Sequence, residues 1–111
     1  MSDWIDIAAL EDIPVQGARL VRTTGGCIAV FRTHDDHVFV LDDRCPHKGG
    51  PLSEGIVTGH SVTCPLHNRV FDLNTGFATG PDEGSVRTYP ARIDNGRVLV
   101  GTEIITRLNA A

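Results

Sequence analysis

No stretch of ten or more residues carries the apolar period of an amphipathic helix. The chain breaks instead into short apolar, β-branched runs: Trp4–Ile7, Ala18–Val21, Cys27–Phe31, Val38–Leu41, Ser61–Thr63, Val70–Leu73, Val86–Ile93 and Val98–Val100. Runs of this length and composition read as strands. Turn residues separate them at Thr24-Gly25-Gly26, His34-Asp35-Asp36, Asn74-Thr75-Gly76 and Asp94-Asn95-Gly96. Asn95-Gly96, between Ala91–Ile93 and Arg97–Val100, is a two-residue hairpin signal, because both positions of a type I′ turn need positive φ. Eight short strands at this spacing predict an all-β fold, a small antiparallel sandwich or barrel. Ala8–Ile13 offers one short helical turn ahead of Pro14. Asp42–His60 is the longest stretch poor in strand signal, rich in Gly and Pro as a binding loop would be. There is no internal repeat, low-complexity segment or linker, and 111 residues fit one domain, 1–111.

The hydrophobic content of 41% suits a globular chain rather than a disordered one. A core this small would gain from a cofactor that ties loops together. A formal net charge of −4 argues against nucleic acid and anionic membrane surfaces as partners. No apolar run approaches a membrane span, and Met1–Asp6 lacks the features of a signal peptide, so the expected location is the cytoplasm. Three cysteines in a reducing compartment are better explained as metal ligands, core residues or reactive thiols than as a disulfide framework.

Two segments concentrate the chemistry. Cys45-Pro46-His47 and Cys64-Pro65-Leu66-His67 each pair a thiolate with an imidazole, and sixteen residues separate His47 from Cys64. Sulfur and imidazole donors suit zinc, copper or an iron–sulfur cluster. Zinc fingers usually group like ligands, Cys with Cys and His with His. Here each segment supplies one of each, which suits two loops clamping a binuclear cluster, both thiolates on one iron and both imidazoles on the other. A mononuclear zinc site, or two core cysteines with two surface histidines, are the competing readings.

On these residues the sequence resembles the Rieske [2Fe–2S] family. The likeness takes in Cys45-Pro46-His47 with Leu52-Ser53-Glu54-Gly55, then Cys64-Pro65-Leu66-His67 with Phe71-Asp72, and the later Thr75-Gly76 and Gly80-Pro81. It runs from about Trp4 to Val100. The resemblance implies a three-sheet antiparallel β fold with a cluster-binding subdomain at its tip, built from loops within about 43–84, the last of them the proline-containing loop at Gly80-Pro81. It implies that Cys45, His47, Cys64 and His67 bind one [2Fe–2S] cluster and that the protein carries electrons, with no catalytic residue of its own. The high-potential branch of the family has a disulfide between its cluster loops, at positions that fall near Gly50 and Leu66, and a Gly-Ser pair where this chain has Asn68-Arg69. Both features are absent, as in the ferredoxin-like branch. Two thiolates and two sulfides against two ferric ions leave the oxidised cluster neutral, so histidine ligation raises the potential above that of a four-cysteine cluster.

Within the family, the blocks Cys45–Gly55, His67-Asn68, Gly80-Pro81-Asp82-Glu83-Gly84 and Arg87-Thr88-Tyr89-Pro90 are most similar to small subunits of NAD(P)H-dependent assimilatory nitrite reductases. That likeness implies a large partner subunit carrying flavin, sirohaem and a [4Fe–4S] cluster, which reduces nitrite to ammonia. The ferredoxin component of an aromatic-ring-hydroxylating dioxygenase is the alternative, and a zinc-stabilised binding module is a third. Of the remaining residues, Cys27 reads as a buried structural cysteine. His34, His37 and His60 read as solvated loop residues. Trp4 and Tyr89 read as core or interface aromatics. Lys48 and Arg69 are either solvated charges or aids to docking. Gly49, Gly50 and Gly55 would allow backbone amides to approach sulfides.

Overall fold

The computed structural model describes residues 4–23, 26–44, 51–65, 68–79 and 84–101. Ten strands run through them: β1 (Trp4–Ala9), β2 (Gly17–Thr23), β3 (Gly26–Arg32), β4 (Val38–Asp42), β5 (Ile56–Thr58), β6 (Ser61–Thr63), β7 (Val70–Asp72), β8 (Thr88–Tyr89), β9 (Ala91–Asp94) and β10 (Arg97–Gly101). They form three antiparallel sheets, ordered β1-β10-β9, β2-β3-β4-β8 and β5-β6-β7. The only helical elements among the described residues are 3-10 turns at Leu10–Asp12 and Leu52–Glu54. The first matches the short turn expected before Pro14, although Ala8 and Ala9 belong to β1.

The second sheet is the middle layer, and its side chains show why. Successive residues of a strand point to opposite faces. On β3 and β4, Ile28, Val30, Val38 and Val40 pack with Val98 and Val100 of the first sheet, together with Ile13 and Tyr89. The alternate residues Ala29, Phe31 and Leu41 pack with Val57, Val62, Cys64 and Phe71 on the third-sheet side. A strand covered on both faces is written as a continuous apolar run, which is the form of Ile28–Phe31.

Two elements differ from expectation. The run Val86–Ile93 is not one strand. Pro90 divides it, β8 joining the middle sheet beside β4 and β9 joining the first sheet beside β10. The stretch Asp42–His60 contains the 3-10 turn at Leu52–Glu54 and β5. Of β5, only Val57 is buried; Ile56 and Thr58 are exposed on an edge strand, so the segment carries little apolar signal. The hairpin of β9 and β10 is as expected, with φ of 51° at Asn95 and 75° at Gly96.

Candidate metal centre

Three connections meet at one end of the third sheet, and the described residues fix their bases. The segment carrying Cys45 and His47 leaves β4 at Asp42. Asp43 donates its backbone N–H to the Cys27 carbonyl at 3.0 Å. Its carboxylate takes two hydrogen bonds from Ser53, 2.6 Å from the backbone N–H and 2.9 Å from the hydroxyl. One side chain therefore closes a ten-residue span at its neck. Beyond it, Leu52 is fully buried in the cluster of residues that holds Cys64. Gly55 lies so close to β6 that a Cβ there would fall 2.2 Å from the Thr63 carbonyl oxygen. The return of the first segment is thus seated on the residue preceding Cys64.

The second connection joins β6 to β7. Cys64 is fully buried. Its N–H donates to the Arg69 carbonyl at 2.7 Å, and its own carbonyl accepts from Asn68 N–H at 3.0 Å. Asn68 stands at φ 56°, the left-handed region that asparagine tolerates better than most residues. These bonds tie Asn68 and Arg69 directly to Cys64. The third connection runs from Thr79 to Gly84; Gly80 and Pro81 lie outside the described residues. Thr79 N–H donates to the Val70 carbonyl at 2.9 Å, and Ala78 N–H to Gly84 at 3.0 Å. Gly76 has φ 80°, and a Cβ on it would meet the Val86 carbonyl oxygen at 2.1 Å. Only glycine lets these two backbones approach so closely.

Of the four expected ligands, Cys64 is described; Cys45, His47 and His67 lie outside the described residues, as do Lys48, Gly49 and Gly50. A buried cysteine at the start of a turn whose backbone groups bond to each other suits a soft metal or cluster rather than a solvent-exposed reactive thiol. Cys27 is half-buried on β3 opposite Arg22, not fully buried as expected. It borders the first connection through its carbonyl. Tyr89 is buried and donates its hydroxyl to Asp42 Oδ1 at 2.8 Å. Trp4 is half-buried beneath the Arg92 guanidinium, 5.3 Å from the ring centre. Arg69 is half-buried.

His60 lies in the turn before β6, at the end opposite Cys64. It is exposed, as is His37, both as expected of turn residues, and the two also face Asp35. Sequence reading missed both this group and the Asp43–Ser53 clamp, whose partners lie 25 and 10 residues apart with no local pattern to announce them.

The model of the Rieske-like [2Fe–2S] domain matches residues 3–101. The chain belongs to the Rieske family. Its cofactor is accordingly a Rieske-type [2Fe–2S] cluster, and the protein is an electron carrier. The ferredoxin component of the naphthalene 1,2-dioxygenase/salicylate 5-hydroxylase systems of Ralstonia sp. is 35% identical over 91% of this chain and 97% of its own. The anthranilate 1,2-dioxygenase ferredoxin subunit of Burkholderia cepacia is 36% identical over 90% and 93%. Among solved structures, a protein assigned as the small subunit of an NADH-dependent nitrite reductase in Mycobacterium tuberculosis superposes with a TM-score of 0.78 at 28% identity, over 90% of this chain and 95% of that one. No described helix is long and apolar enough to cross a membrane.

Proposed function

We propose that this Rieske protein holds its cluster through Cys45, His47, Cys64 and His67 and delivers single electrons to the oxygenase of an aromatic-ring-hydroxylating dioxygenase system. The observation that carries the second part is the run of dioxygenase ferredoxin components, 33–36% identical, that match this chain over nearly their whole length. The expectation from sequence favoured the nitrite reductase small subunit. That reading is the second one, supported by the blocks quoted above and by the structural similarity to the Mycobacterium protein.

When bound, the cluster supplies one-electron redox chemistry. The chain's own residues supply donors and position. Cys64 contributes a thiolate from a buried turn, and Cys45 the second, from a segment held at its neck by Asp43 and Ser53. His47 and His67 contribute neutral nitrogen donors, which keep the oxidised site from carrying the net negative charge of a four-thiolate set.

Reconstitution separates the two readings. The reduced protein should support turnover of an aromatic-ring oxygenase and leave a sirohaem nitrite reductase large subunit unaffected. Support of NADH-driven nitrite reduction, with none for the oxygenase, would hand the assignment to the second reading.

A further inference from the structure

The turn between β3 and β4 and the turn between β5 and β6 bring three metal-binding side chains together, away from the cluster motif. His37 Nδ1 lies 3.0 Å from Asp35 Oδ2, and His60 Nε2 lies 3.0 Å from the same oxygen. One ligand atom from each of the three residues lies within 4.8 Å of the others. We propose that Asp35, His37 and His60 form a second metal site, one that takes a borderline divalent ion such as zinc and pins the middle sheet to the third.

The donor set is two imidazoles and one carboxylate, which suits zinc, copper or nickel rather than calcium or magnesium. A tetrahedral zinc ion with bonds of about 2.0–2.2 Å spaces its donor atoms about 3.4 Å apart. The two edges that run to Asp35 are already near that length. The edge between the imidazoles is no longer than 4.8 Å and closes with a small rotation of the two exposed rings, and a fourth position is left for water.

The three residues are oriented from behind. Thr33, fully buried, donates its hydroxyl to Asp35 Oδ1, the oxygen that His37 does not approach, and accepts the His37 backbone N–H at 3.0 Å. Oδ2 is the oxygen that both histidines reach, although His60 Nε2 also lies 3.1 Å from Oδ1. His60 is held by its carbonyl, which takes the Leu73 N–H at 2.9 Å, and by the Phe39 ring at 5.3 Å. Hydrogen-bonded support of this kind is what fixes metal ligands in position. The Asp35 carboxyl is also held well below the ordinary carboxylate range, first by the Thr33 hydroxyl and then by the two imidazoles, so it is available as an anion. None of the three residues belongs to the cluster motif, so the site stands or falls independently of the proposed electron acceptor.

The test uses the cluster-loaded protein, equilibrated with zinc chloride and freed of excess. Zinc and iron are counted in the same sample, and thermal unfolding is followed with and without zinc. One zinc per chain beside the cluster iron is expected, with a higher unfolding temperature in zinc. His37→Ala and His60→Ala should each abolish both effects, and His34→Ala, in the same turn but outside the group, should keep both. Failure of the wild-type protein to retain zinc, or equal retention by all three variants, would overturn the site.

Discussion

The hairpin of β9 and β10 and the three-loop end of the third sheet are both made of short antiparallel strands, yet they are held by different means. The hairpin is local. Its turn is two residues suited to positive φ, its register follows from that turn, and Val98 and Val100 seat it on the middle sheet. The third sheet has strands of only three residues, and a two- or three-residue ladder contributes little alone. To the packing of Val57, Val62, Phe71 and Leu73 that end adds convergence: Ser53 on Asp43, Gly55 against Thr63, and Thr79 on Val70. The difference teaches that the hairpin is set by a turn its own neighbours encode, whereas the three-loop end, although packed on a core of its own, is also held by contacts between residues distant in sequence.

The largest expected effect follows from removing a donor at the convergent end. Cys64→Ala takes away the one proposed cluster ligand among the described residues, and bound iron and sulfide should fall to near zero. Hydrogen exchange should then accelerate in β5, β6 and β7, because metal binding free energy is also folding free energy, with β9 and β10 remaining protected. Full iron content in this variant would break the distinction at its root.

Next comes the packing that seats the first loop. Gly55→Ala places a methyl group 2.2 Å from the Thr63 carbonyl, and backbone has to move. A loss of about 3 kcal/mol is expected by denaturant unfolding, the scale of overpacking in a tight site, together with weaker cluster retention. At the local end the corresponding change is milder. Gly96→Ala meets no atom within 4 Å, so only the positive φ is strained, at about 1 kcal/mol, and cluster content should not change. The smallest effect is at the surface. Arg97 grips Asp6 at 2.8 Å across β1 and β10 and holds its carboxyl below the ordinary value of 3.8, chiefly by hydrogen bonding. The stabilisation is present above the unfolded value and is lost as pH falls through the lower folded one. Asp6→Asn should therefore flatten the acid end of the stability profile slightly, and only at low salt.

The same contrast governs what could be read from the residues. Asn95-Gly96 announces its hairpin, and the short apolar, β-branched runs Ile28–Phe31 and Val38–Leu41 announce strands, because those signals are carried by neighbours in sequence. β5 was not legible, since two of its three residues face solvent. Nor was the division at Pro90, where one apolar run serves two sheets. For the site, the Cys/His pairing was legible as chemistry, and of its four residues only Cys64, fully buried, lies among the described residues. The clamp at Asp43 and the group at Asp35 were not, because each depends on side chains that only the folded chain brings together.

Pulsed electron paramagnetic resonance of the dithionite-reduced protein tests the central claim most directly. Two strongly coupled nitrogens on the reduced cluster are predicted, with one coupling lost in His67→Cys if that variant keeps iron. A reduced cluster with no directly bound nitrogen would contradict the assignment of His47 and His67 as ligands.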